Sequence, residues 1–174
     1  EHSTKESAVN GKQDQYAAAF GGINFMEFNK DKVRISPLKL SKSFIKELEN
    51  HLILVYSGKP HYSGSSNKAA IDNLLKGKNT KNLLRLKQIA INMKKALLKK
   101  DLDYFAELMN QETEERRNLS KITVSPQLQE IINQGLHNGA RAAKVCGSGG
   151  GGSILFFGNK NKLKQHFGNK VIDF

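Results

Sequence analysis

The chain has one cysteine, Cys146, which rules out an internal disulfide framework and fits a reducing compartment. No apolar run approaches the roughly 20 residues of a membrane span, so no membrane partner is expected. The opening residues EHSTKESAVN hold no apolar stretch able to act as a signal peptide, and a cytoplasmic location is expected. The five histidines, His2, His51, His61, His137 and His166, are scattered without i, i+4 pairing. No cysteine or histidine cluster has metal-ligand spacing, so the chain is expected to supply no metal site of its own. RNA-recognition, KH and zinc-finger patterns are missing too, as are basic runs interleaved with stacking aromatics.

What is there begins with charge. The formal net charge is +12, which alone would suit a nucleic-acid backbone. Lysine far outnumbers arginine and asparagine is abundant, a pattern that coding bias explains without a binding face. The lysines fall mostly on polar sides of expected helices, as at Lys94, Lys95, Lys99 and Lys100, where solvated charge is the default. The balance weighs against nucleic acid, and a small anionic substrate would profit from the same field. At 174 residues with 38% hydrophobic content, the chain can build one domain and part of a neighbour, not two full domains.

Along the chain, helical and strand patterns alternate, with helices dominating the middle. Residues 20–28 and 32–36 read as strands around an Asn29-Lys30-Asp31 turn. A short helix is expected over 40–50, and the apolar run HLILVYS (51–57) predicts a buried strand. GKPHYSGSS (58–66) is a loop whose serines would cap a helix over 67–75. Over 81–99, Leu83, Leu86, Ala90, Met93 and Leu97 repeat at three-four spacing, widened by Leu84, Ile91 and Leu98, with Thr80 as N-cap. A second helix is expected over 101–119. Ser125-Pro126 caps a third that runs to about Asn138 and stops at Gly139. The tail predicts a strand over 141–146, a glycine loop, a strand over 153–157, a short helix over 160–167 and a strand over 171–174. This order satisfies a two-layer α+β domain.

Two segments carry chemistry. GSGGGGS, residues 147–153, is also what a flexible linker looks like, but strand candidates abut it on both sides. Glycines there let backbone approach a ligand or neighbouring loop closely, and their N–H groups can form an anion-binding nest; a tight turn in the core is the alternative. The second segment is GKQDQYAAAFGG. Three alanines among helix formers, ended by Gly21-Gly22, place Asp14 at or near a helix N-terminus, facing the positive end of the macrodipole. Helix capping alone would account for an aspartate. A carboxylate so placed can also accept or orient a hydroxyl proton during phosphoryl transfer.

In order, GKQDQYAAAFGGINFMEF, HLILVYSGKPHYSG, ETEERRNLS and GARAAKVCGSGGGGSILFF resemble the galactokinase, homoserine kinase, mevalonate kinase and phosphomevalonate kinase (GHMP) superfamily. Within it they are most similar to the D-glycero-D-manno-heptose 7-phosphate kinases of bacterial surface-polysaccharide synthesis. The resemblance implies an α+β, ferredoxin-like C-terminal kinase domain over 37–174, preceded by the end of the N-terminal domain over 1–36. It implies that Asp14 activates the substrate hydroxyl, and that Gly147, Ser148, Gly149, Gly150, Gly151 and Gly152 lie beside the nucleotide phosphates and the substrate. The reaction implied is transfer of the ATP γ-phosphoryl group to the anomeric hydroxyl of the heptose 7-phosphate, with Mg2+ bridging the nucleotide phosphates.

The family's PxxxGLGSSA-type phosphate loop and its acidic magnesium ligand are absent from this sequence. A C-terminal portion is therefore expected, with little activity alone, a complementary N-terminal half as partner, and exposed apolar surface where that half docks. Candidates for holding the sugar phosphate are Lys12 and Gln13 beside Asp14, then Lys59, His61, Arg116, Arg117 and Lys144. The two arginines rank first as bidentate phosphate partners, although they could equally balance Glu112, Glu114 and Glu115. Ser63 and Ser65 are sugar ligands or loop formers. Cys146 is expected to be a small buried residue and not a nucleophile. The alternative to a kinase portion is a non-catalytic remnant or binding module that keeps the fold without ATP chemistry.

Overall fold

A computed structural model describes residues 12–29, 32–59, 79–120, 123–147 and 149–173. The elements are α1 (Gln13–Phe20), β1 (Asn24–Asn29), β2 (Lys32–Pro37), α2 (Lys42–His51), β3 (Leu52–Tyr56), α3 (Thr80–Lys99), α4 (Leu102–Leu119), α5 (Pro126–His137), β4 (Ala140–Val145), β5 (Ser153–Gly158), α6 (Lys160–Phe167) and β6 (Val171–Ile172). The expected helix over 67–75, the turn residues Lys30 and Asp31, and His61, Ser63, Ser65 and Ser148 lie outside the described residues.

Four strands form an antiparallel sheet in the order β4-β5-β3-β6. The β3–β5 register pairs Ile53 with Phe156 and Val55 with Ile154, and the next pairing sets Val145 opposite Ile154. Because side chains alternate across a strand, the unbroken apolar run Ile154-Leu155-Phe156-Phe157 sends two large residues to each face. Both faces therefore need cover. Ile53, Val55, Ile154 and Phe156 pack with Leu128, Ile131 and Ile132 of α5 and with Leu163 and Phe167 of α6. Ala142 and Phe157, on the other face, pack with Phe44 and Leu48 of α2, Ala96 and Leu97 of α3, and Phe105, Leu108 and Met109 of α4. Helices thus cover both sides, where the order of elements had suggested two layers.

Helix ends follow local chemistry. Ser41, Asp101 and Ser125 each accept a backbone N–H of the first turn, from Phe44, Tyr104 and Leu128 respectively. Pro126 sits at the first helical position, as expected. Asn79, in left-handed conformation with φ 70°, takes the N-cap position expected of Thr80, which is the first residue of α3. The α3 stripe is also narrower than the sequence suggests. Ile89, Ala96 and Leu97 are buried, whereas Leu84 and Leu98 are 61% and 50% exposed. Lys94 is not simply solvated, since its ammonium lies 4.4 Å from the centre of the Phe25 ring.

The amino-terminal elements are laid out differently. Phe20 ends α1 and does not begin a strand, because Gly21 and Gly22 both have positive φ and the hairpin starts only at Asn24. β1 and β2 form a separate two-stranded sheet. Ile23, Leu38 and Leu40 pack against the second core cluster, which ties the hairpin to the main body.

Candidate active site

Three connections meet at one end of the main sheet: the β4–β5 glycine loop, the exit from β3, and the link from α4 to α5. The β3–β5 register ends with Tyr56 opposite Ser153, so residues 57–59 run beside the end of the glycine loop. Ser57 N donates to Gly152 O at 2.8 Å, and Gly152 N donates to Lys59 O at 3.0 Å. From the other side, Gly150 N donates to Thr123 O at 3.0 Å. Thr123 and Ser57 are both buried.

The loop is therefore a folded part of the protein, not a free linker. Gly147, Gly149, Gly150 and Gly152 all have positive φ. At Gly149 the need for glycine is twofold: φ is +89°, and a Cβ would sit 2.5 Å from Thr123 O. The expected anion nest is reduced by the same hydrogen bonds, because the amides of Gly150 and Gly152 already point at protein carbonyls.

Charged groups surround the loop's first strand. Lys144 pairs with Glu112, and the same Glu112 oxygen lies 3.8 Å from Arg116. The other carboxylate oxygen, Oε2, is buried with no hydrogen-bond partner among the described residues. Arg116 donates to Val145 O at 3.0 Å and also to Gly147 O. Arg117 turns elsewhere, to Glu114 and, at 2.6 Å, to Gln129 Oε1. Both arginines are thus engaged by protein groups, as the balancing-charge reading allowed. Burial pushes the Cys146 thiol pKa up, against a smaller opposing pull from Lys144, which keeps the thiol protonated.

Asp14 is in the first turn of α1, as expected, one residue after Gln13. It is not the cap: the N-cap position is Lys12, whose side chain makes no cap hydrogen bond among the described residues. The helix buries no residue and rests on the hairpin through Tyr16, whose ring is 6.1 Å from that of Phe28. Among the described residues no hydrogen bond or ion pair joins Asp14, Lys12 or Gln13 to the glycine loop. The structure thus brings together Gly147, residues 149–152, Lys59, Arg116 and Lys144. Thr123 and Ser57 are site neighbours that sequence reasoning missed, and Glu112 was read only as a charge balancing the arginines. A serine closing an apolar strand, and an acidic residue one turn before a basic one, were the available signals. Thr123 gave none.

Residues 93–171 match the family model described as GHMP kinases C terminal. The fold matches that of GHMP kinase C-terminal domains. The chain is 33% identical over 155 residues to the D-glycero-alpha-D-manno-heptose 7-phosphate kinase of Campylobacter jejuni, an alignment covering 88% of this chain and 46% of that protein. A crystal structure titled as a D-glycero-D-manno-heptose 1-phosphate kinase from Bacteriodes thetaiotaomicron superposes with TM-score 0.64 at 31% identity, covering 94% of this chain and 45% of that one. A putative sugar kinase from C. jejuni gives TM-score 0.62 at 30% identity, covering 94% and 48%. L. major mevalonate kinase shares the fold, with TM-score 0.73 at 19% identity, covering 96% and 53%. The chain spans about half the length of these relatives.

Proposed function

We propose that this chain is the C-terminal portion of a sugar-phosphate kinase that moves the ATP γ-phosphoryl group to the anomeric hydroxyl of D-glycero-D-manno-heptose 7-phosphate. The observation that carries the reading is the 33% identity to a heptose 7-phosphate kinase across 88% of the chain. The Bacteriodes relative is titled a 1-phosphate kinase, so the position of the phosphate belongs to this proposal. In it, residues 1–36 end the N-terminal kinase domain and 37–174 form the C-terminal one.

Asp14 orients the sugar hydroxyl and accepts its proton as the oxygen attacks phosphorus. The glycine loop, fixed by Thr123 and Lys59, lets backbone lie against substrate and nucleotide where a Cβ would intrude. Lys59 and Lys144 add positive charge around the anions. Among the described residues no group of three or more His, Cys, Asp or Glu is placed to hold a metal ion. The two engaged glycine amides leave an incomplete phosphate cradle. In this proposal the magnesium ligands and the main ATP loop belong to a complementary N-terminal half, and no step here runs through the metal. Phe20 and Phe28, 58% and 47% exposed and both near the Tyr16 ring, are the apolar residues on which that half would dock.

The test is ADP release from ATP and magnesium with the heptose 7-phosphate, using this chain mixed with a separately expressed N-terminal half and omitting each in turn. Activity only in the mixture is expected. Asp14→Asn should lower kcat by about 10²- to 10⁴-fold, the usual worth of a positioned base. A mixture that stays silent while a full-length relative runs in the same assay would reject the kinase reading in favour of a non-catalytic binding module.

A further inference from the structure

β4 is an edge strand, and no other strand pairs with its outer side among the described residues. Backbone groups on such an edge need partners, and a bare edge invites pairing with another chain. Here α4 takes the place of a fifth strand. Asn110 donates to Arg141 O at 3.0 Å and accepts from Ala143 N at 3.2 Å. Thr113 donates to Ala143 O at 2.8 Å. Arg116 donates to Val145 O at 3.0 Å. Side chains spaced by three along one helix face thus meet the carbonyls of every second strand residue, 141, 143 and 145, as a neighbouring strand would.

The two rises do not match. Three helical residues advance about 4.5 Å, whereas two strand residues advance about 6.8 Å. The helix falls further behind at each rung, so the last needs the longest side chain. Asparagine and threonine suffice for the first two; an arginine stands at the third. Its fork also reaches past the strand to Gly147 O, the first carbonyl of the glycine loop. Glu112, one turn earlier, holds the guanidinium from behind.

We propose that Arg116 is a positioning residue for the glycine loop: its two terminal nitrogens grip the last strand carbonyl and the first loop carbonyl, and so set where the loop leaves the sheet. Asn110 and Thr113 fix the register of β4 that feeds this rung. Arg116 then acts through Gly147, not as a ligand of the sugar phosphate. The functional weight of this clamp rests on the kinase reading of the loop; the clamp itself does not.

Hydrogen exchange followed by mass spectrometry on the chain alone tests it, independently of any phosphoryl transfer. In Arg116→Ala, peptides covering residues 144–152 should exchange roughly tenfold faster or more, as expected for losing hydrogen bonds from a charged donor. β3 and the centre of β5 should be unchanged. Arg116→Lys keeps the charge beside Glu112 but offers one nitrogen in place of a fork. It should restore the thermal midpoint while leaving the loop fast, a split that a purely stabilising ion pair would not give. Loop exchange at the wild-type rate in Arg116→Lys, or equal acceleration of every strand in Arg116→Ala, would overturn the clamp. If Arg116→Ala does not fold, the lysine variant alone decides.

Discussion

Phe156 and Phe28 are both phenylalanines in antiparallel strands, and they have opposite surroundings. Phe156 is 0% exposed, stacked 5.3 Å from Phe167 and pressed against α5, where a Cβ on Gly135 would lie 2.2 Å from its ring. Phe28 is 47% exposed on a two-stranded hairpin. A sheet covered on both faces fixes its residues by packing. A lone hairpin has too little surface to do so and is marginal without added support. The two halves of the candidate site follow the same division: the glycine loop is built into the first environment and Asp14 stands in the second.

The largest effect expected from this contrast is on stability. Phe156→Ala should cost about 3–5 kcal/mol in urea unfolding, and Phe28→Ala only about 0.5 kcal/mol. Similar losses at both positions would break the comparison. Two glycines with positive φ sharpen it next. Gly149→Ala combines an unfavourable φ with a clash on Thr123 backbone and should cost roughly 3 kcal/mol. Gly21→Ala, with φ +59° and ψ −179° but nothing within 4 Å of a Cβ, adds backbone strain without a clash and should cost roughly 2 kcal/mol.

Helix starts give a smaller difference. Ser125→Ala should lose about 1 kcal/mol, since its hydroxyl accepts Leu128 N, whereas Lys12→Ala should stay within about 0.5 kcal/mol because Lys12 supplies no cap. The smallest effect concerns Cys146. Its raised pKa means that the folded state favours the thiol, so this stability is present below the ordinary thiol pKa and is lost as pH rises through the folded value. Iodoacetamide at neutral pH should therefore modify it more slowly than an unfolded control, and equal rates would remove the burial argument.

Much of this was legible in sequence where residue chemistry had a single outlet. The run over 153–157 was readable as a strand, and Ser125-Pro126 as a helix start. Apolar residues at adjacent positions of α3 were not readable. Leu83 and Leu84, or Leu97 and Leu98, point to different sides, and only packing decides which member of each pair is the less exposed. Within the site, the glycine loop could be found because glycine runs are rare between strands. Arg116 was ambiguous for a chemical reason: a guanidinium suits a phosphate and a pair of carbonyls equally well. Thr123 acts through its backbone oxygen, which any residue has, so its side chain carried no signal.

The central claim is that the chain holds a finished loop and an unfinished Asp14 segment completed by an N-terminal half. Hydrogen exchange on the chain with and without that half tests it most directly. The account predicts new protection over residues 13–37, with 123–158 essentially unchanged. Unaltered exchange over 13–37, or protection gained only around the glycine loop, would contradict it.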